Sequence, residues 1–513
     1  MPKINIVETD NTIFNLATAN NDNIVYVPGS AITGPYDAPV LLSSLDEFKN
    51  TFGSVGVEGS PTWDYVSGLL IAGLPVLFRR IAGLNMDTDS PDIKVVAAST
   101  IIKGGEPPET EQLKVTEKYG GSYGNTMFVT VEDLSGAVNF KVYKDTKLIE
   151  SVKLITKSDD DDEDSTRAKL IEAIKSTDFK TVKLEIMNEE SFVLPAVNRQ
   201  QLAGGSDMSE TDVIQELPKT YAFIKDKYVY DVKFLCSGGY TDAESSQTTI
   251  ANAMIALAEE RKDCVAIVDI PIGTPKENVT SFFANVDTSY AAAYAPWCYI
   301  KLPDKREKWM APSYIFLYTL GRSVESGNPL WVAPAGVQRA SVPQVIKPEY
   351  EIGGDIMEDW QNTNPQSINP IMKIRSYGYV IYGQRTLYNM EDQGDSQTSA
   401  LQELTVRIAA NEIKRQIFLI SLQLTFNSNN IRTWNEFRGL LDPFLKQMKA
   451  DRGIADYQII MDDTTTSDED VSTNTIRGIV KVSVSRAVED FEIDFQLEPS
   501  SVQFADEEAE LNI

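Results

Sequence analysis

Two stretches of the chain repeat apolar residues at helical spacing for five or more steps. Val406, Ala410, Ile413, Ile417, Ile420 and Leu424 advance by four and three, as do Trp434, Phe437, Leu441, Phe444 and Met448. Each set predicts a helix with one apolar stripe, over 399–425 and 433–450. Ser399 with Gln402 and Thr433 with Glu436 have capping-box spacing, Gly453 is a suitable stop, and Pro443 predicts a kink. Beyond them the period falls to two. Val480, Val482 and Val484 alternate with Lys481 and Ser483 inside a predicted strand at 476–484. Phe491, Ile493, Phe495 and Leu497 then alternate with Glu492, Asp494, Gln496 and Glu498. Near the other end, Ile4 and Ile6 share one face of a short strand over Lys3–Val7.

Between these ends the pattern is mixed. Residues 24–28 and 76–81 read as strands, 44–53 as a capped helix ended by Gly53, and 63–72 as a second helix. Residues 126–131 and 139–143 alternate as strands, with a short helix at 165–174. Further on, 228–236 predicts a strand, Ser237-Gly238-Gly239-Tyr240 a glycine loop, 248–261 a helix and 265–270 a buried strand.

That last unit raises a chemical alternative, because a glycine loop opening a helix can hold a phosphate. The loop is neither GxGxxG nor GxxxxGK[ST], and Asp242 and Glu244 stand where a phosphate would approach, so a structural turn is the competing reading. The acidic run Asp159–Asp164 lacks the glycine and ligand spacing of a calcium loop and reads as a solvated segment. A Gly/Ser linker in its place is expected to leave assembly intact.

Composition narrows the classes further. The 513 residues are 42% hydrophobic and 24% charged, as in globular chains of several domains, and no apolar run is long enough to span a bilayer. A formal net charge of −28 opposes direct nucleic-acid binding and makes any self-assembly salt-dependent. Cys236, Cys264 and Cys298 are widely spaced, which predicts buried thiols and no zinc site. The chain contains no histidine, which removes Ser-His-Asp, Cys-His and HExxH chemistry. No catalytic residue, cofactor or metal is expected. The first residues show no basic segment followed by an apolar one, so no signal peptide is expected and synthesis is assigned to the cytoplasm.

Several phrases, in this order, resemble the contractile tail sheath proteins of bacteriophages and related injection machines. They are Tyr290–Trp297 (YAAAYAPW), Trp331–Gly336 (WVAPAG), Ile368–Ile371 (INPI) and Tyr377–Leu387 (YGYVIYGQRTL). Gly34-Pro35 with Phe52-Gly53, Tyr119–Asn125 (YGGSYGN), Leu202–Asp207 (LAGGSD) and Ala256–Pro271 extend the likeness. Met208 stands where the family usually has glycine.

The resemblance implies a multidomain α+β and α/β chain: a mixed α/β sheath core built from N- and C-terminal parts, an inserted β-rich outer domain, and extended terminal arms. The corresponding divisions are an arm at 1–23, core at 24–85, the insert at 86–208, a central α/β part at 209–388, an inner part at 389–488, and an arm with an acidic tail at 489–513. It implies a structural subunit, not an enzyme, that polymerises as stacked hexameric rings around an inner tube in a virion tail. Contraction would drive the tube through the host envelope without nucleotide. Its implied partners are copies of itself, the tube protein, the baseplate and a tail terminator, with no nucleic acid and no membrane insertion.

From pattern alone the terminal strands pair either within the subunit or with a neighbour. The resemblance favours the neighbour, with Ile4, Ile6, Phe491, Ile493, Phe495 and Leu497 on the arms and Val480, Val482 and Val484 on the receiving strand. Two other readings stand beside it: a nucleotide-binding α/β enzyme resting on Ser237–Tyr240, and a non-contractile shell or surface-layer protein.

Overall fold

The computed structural model describes residues 23–84, 92–105, 110–134, 137–155, 162–242, 248–362, 367–388 and 399–485. The arm residues Ile4, Ile6, Phe491, Ile493, Phe495 and Leu497 lie outside them, as do residues 159–161 of the acidic run.

The frame is an eight-stranded sheet. Its strands are β1 (Val25–Gly29), β2 (Val40–Leu42), β3 (Val76–Arg80), β4 (Phe234–Leu235), β5 (Val265–Asp269), β6 (Ala291–Ala295), β7 (Asn369–Ile374) and β8 (Gly378–Ile381). They lie in the order β2-β3-β1-β4-β5-β6-β7-β8, antiparallel only at the two edge pairs. β1, β3, β5 and β6 are buried throughout, which explains continuous apolar runs such as AAAYA where a half-exposed strand would alternate. Helices α1 (Thr62–Ile71) and α3 (Pro312–Glu325) cover one face, and α2 (Thr249–Arg261) covers the other. The two apolar cores, one on each face, draw on residues before 85 and after 208 alike.

Residues between these parts leave the sheet after β3 and return before β4. They build a separate core around Phe140, Val142, Leu113, Val115 and Phe179, under a four-stranded sheet and a three-stranded one. The expected strands are present as Met127–Leu134 and Ala137–Lys144. The short helix runs Glu163–Ser176, two residues earlier than predicted. Asp162 caps it, its Oδ1 accepting the Ser165 amide at 2.8 Å. The end of the acidic run is therefore structural, since a carboxylate suits a helix N-terminus.

Where the chain enters and leaves the insert, Arg80 binds it to the frame. Its fully buried guanidinium donates to the carbonyls of Ala31 (3.0 Å), Gly34 (2.7 Å), Tyr119 (3.1 Å) and Gly120 (2.7 Å). The returning strand is tied to the same place. Asp207 Oδ1 accepts the Ser122 amide (2.9 Å), and the Asn125 amide group exchanges two bonds with the Gly205 backbone, both 2.8 Å. Gly121 has φ 118°, and a β-carbon there would lie 2.2 Å from the Ile32 carbonyl, so only glycine fits. Burial lowers Arg80 to about 10, with Glu117 and Asp207 opposing the shift, so it stays charged at neutral pH.

Three local expectations are corrected. Residues 228–236 are not one strand: the Asp226 carboxylate accepts the Tyr228 amide in a turn, and only Phe234–Leu235 pair in the sheet. Ser399 caps a single 3-10 turn (Ala400–Gln402), and the first C-terminal helix, α4, runs Leu404–Leu424. The second, α5, runs Ile431–Ala450 and is capped by Asn430, which reaches the Arg432 and Thr433 amides; it continues through Pro443. Asparagine precedes Thr433 by three residues and takes the capping position first.

Replacing Arg80 with methionine should lower stability by about 3–5 kcal/mol, because four buried carbonyls and the Glu117 carboxyl lose their cation. Arg80→Lys should recover only part of this, since one ammonium cannot reproduce the planar fork. The shift in urea midpoint measures both, and an unchanged midpoint for the methionine variant would refute the role.

Candidate functional site

Two places could carry function: the crevice at the glycine loop, and the C-terminal sheet that ends the described chain. The crevice lies at the carboxyl ends of β1 and β4, where strand order reverses, the usual ligand position in such sheets. Here it is filled. Gly238 (φ 70°) packs so tightly that a β-carbon would meet the Pro28 carbonyl at 2.6 Å. The Tyr240 hydroxyl sits among Ser30, Ser60 and Thr62 at 2.8–3.1 Å. The remaining cavity, beside Asp242 and Asp269, holds about 10 Å³, barely one water. Asp242 Oδ2 accepts the Ile250 amide (3.2 Å) in the first turn of α2, so the protein's own carboxylate occupies the phosphate position. Among the described residues this geometry leaves no room for a phosphate beside the loop.

The same crevice contains a buried carboxylate. Asp269, at the end of β5, accepts the Ser313 amide (2.8 Å) and hydroxyl (2.5 Å) at the start of α3, where the helix dipole favours an anion. Burial nevertheless raises it to about 6, the hydrogen bonds from Ser313 countering only part of the shift. Cys236, Cys264 and Cys298 are buried thiols, each pushed upward by burial and therefore chemically quiet.

The C-terminal part is different in kind. α4 and α5 bury Ile413, Ile420, Trp434, Phe437, Leu441 and Met448 in a core of their own. Strands β9 (Ile454–Ile460) and β10 (Ile479–Val484) pair antiparallel beside it, Tyr457 opposite Val482 and Ile459 opposite Val480. Val480 and Val482 pack toward the helices, Val484 is half-buried, and Ile479, Lys481 and Ser483 face outward. The period-two pattern thus set the inward face correctly, though the strand begins three residues later than predicted.

Among the described residues this sheet has two strands only, so both outer edges present unpaired backbone donors and acceptors. A groove of about 970 Å³ adjoins β10, lined by Ile417, Leu424, Phe437, Met461, Ile476 and Ile479. Phe426 stands on its rim, fully exposed and at φ 72°, a conformation unusual for a bulky residue. Sequence reasoning missed Phe426 and the groove, because a phenylalanine two residues beyond a helical stripe reads as more core. The motif residues are joints. Asn369, buried on β7, donates to the carbonyls of Ala293 (3.0 Å) and Arg385 (2.8 Å) and accepts the Arg385 amide (2.6 Å). Trp331 packs under Gly453 at the end of α5. No described helix is long and apolar enough to cross a membrane.

No protein-family model matches the chain. It is 23% identical over 325 residues to the tail sheath protein of Enterobacteria phage T4, a match covering 59% of this chain and 47% of that protein. The chain thus spans under half the length of that relative. In fold it is similar to the sheath tail protein of Listeria innocua, with a TM-score of 0.60, 12% identity and coverage of 93% of this chain and 99% of the other. The sheath tail protein of Desulfitobacterium hafniense gives 0.55, 11%, 94% and 99%. The fold is that of the sheath tail proteins.

Asp269 generates a pH prediction. Its folded pKa of about 6 lies above its ordinary value of 3.8, so its contribution to stability is present at acid pH and lost as pH rises through 6. Asp269→Asn removes that loss, so the variant should gain on the wild type between about pH 4 and 6.5 in urea titrations, with no further change above it. A difference that stays constant across this range would contradict the assignment.

Proposed function

We propose that this chain is the repeating structural subunit of a contractile tail sheath. The observation that carries the proposal is the two-stranded sheet β9–β10, apolar beneath and with no further strand at either edge among the described residues, on a chain with the fold of sheath tail proteins. Such an edge is suited to β-strand addition, in which main-chain hydrogen bonds supply affinity and alternate side chains supply register. The donors are the terminal arms, Ile4 and Ile6 at one end and Phe491, Ile493, Phe495 and Leu497 at the other. Their single apolar faces match a sheet already packed on one side.

In this reading neighbouring subunits exchange arms and so form stacked hexameric rings around an inner tube. The added strands stay paired while the globular bodies slide, and contraction re-packs their surfaces into a lower-energy arrangement. The energy is stored in assembly, and no nucleotide is consumed, in keeping with the filled crevice. The insert faces outward and the α4–α5 part inward. The assembly belongs to a virion tail, with the tube, baseplate and terminator as partners, and subunits are put together in the host cytoplasm. A non-contractile shell would use the same edges but would lack a second, shorter and wider state.

Deleting Phe491–Ile513 should leave a folded subunit that sediments as a monomer under conditions where the full chain polymerises. Polymers of normal length from the truncated chain would sink the arm assignment. Val482→Pro, placed on the receiving strand, should likewise reduce polymerisation, read by the fraction pelleted in an ultracentrifuge.

A further inference from the structure

On the far side of α4 from the C-terminal sheet, the turn at 226–231 and the 262–263 turn enclose a second, smaller groove of about 250 Å³. Its apolar floor is exposed: Tyr228 and Val229 from the turn, Leu419 and Leu422 from α4, each 45% or more accessible. Phe418 stacks edge-on against Tyr228 with ring centres 5.0 Å apart. Around this floor the charge runs opposite to that of the whole chain. Lys227, Lys262 and Lys414 line it, and none has a carboxylate partner among the described residues. Lys227 rests over the Phe418 ring at 5.0 Å, and Lys414 donates to the Tyr290 hydroxyl at 2.9 Å. The carboxylates that face the groove are already matched, Asp231 by Arg415 and Asp263 by Arg261.

Three lysines with no carboxylate partner among the described residues, set around an apolar floor in a chain of net charge −28, specify an acidic segment with a few apolar residues. The chain carries one of that composition outside its described residues. Phe504–Ile513 holds Asp506, Glu507, Glu508 and Glu510, with Phe504 and Leu511 seven positions apart. We propose that this groove is the docking site for the acidic C-terminal segment Phe504–Ile513 of a copy of this chain. Its carboxylates pair with Lys227, Lys262 and Lys414, and Phe504 or Leu511 covers Leu419 and Leu422. The site is separate from the β10 edge, so it stands whether or not residues 491–497 add to that edge.

The pairing is tested on the full chain by zero-length carbodiimide coupling, which joins a carboxylate to an amine only at contact, followed by peptide mass mapping. At low salt the acids of 506–510 should couple to Lys227, Lys262 and Lys414 about tenfold more than to other exposed lysines, and high salt should abolish the preference. The triple variant Lys227→Gln, Lys262→Gln, Lys414→Gln should lose the preference, as should Leu419→Glu with Leu422→Glu. Coupling spread evenly over the lysines would overturn the proposal. So would occupation of these three by carboxylates from elsewhere in a second copy, or a preference that persists in the leucine variant.

Discussion

A guanidinium buried among four carbonyls decides how this chain can be arranged. β3 ends at Arg80, and the polypeptide then departs to build a separate core before returning to supply β4 and the rest of the sheet. Such an excursion is tolerable only if both crossings are fixed. Arg80 fixes the outgoing one by binding carbonyls from the frame and from Tyr119 and Gly120 of the insert. Asp207 and the Asn125–Gly205 exchange fix the incoming one. A lysine has one donor centre where this site needs three, and it could not span the same set of acceptors. The insert is therefore joined to the frame by directional bonds.

The same economy appears at the other joints. A doubly wound sheet normally leaves a ligand crevice at its order reversal, but here Tyr240 and three hydroxyl side chains fill it, and Asp242 takes the anion position at α2. Asn369 crosses between β6 and the 383–386 segment, and Trp331 links the central part to α5. The polar side chains named at these joints bond backbone groups or one another. Among the described residues, the edges of β9 and β10 carry no further strand, and exposed apolar residues lie beside them.

Much of this was legible in the sequence, and unevenly so. The buried strands and the α4 and α5 stripes were readable because burial enforces period or continuity; Ile413, Ile420, Phe437, Leu441 and Met448 are core as expected. Helix starts were less so, because several residues compete for a cap and only geometry chooses Asn430 over Thr433. The 228–236 run looked like a strand because its Tyr, Val and Phe residues are strand formers, and the turn that Asp226 closes at Tyr228 overrides that preference. The segment after β3 stood out in the sequence by its change of character. The attachment through Arg80 was not legible, since nothing in a Val-Leu-Phe-Arg-Arg run says that both arginines are buried or which of them collects the carbonyls of Tyr119 and Gly120. The open edge of β10 followed from pattern only as a choice between partners, and the groove and Phe426 had no sequence signal at all.

The account stands or falls on self-assembly through open sheet edges in a strongly acidic chain. Negative-stain electron microscopy of the purified full-length protein across a salt series is the most direct measurement. Hollow, helically ribbed tubes that lengthen as salt screens the net charge of −28 are the predicted result. A monodisperse monomer at every salt and protein concentration would contradict it.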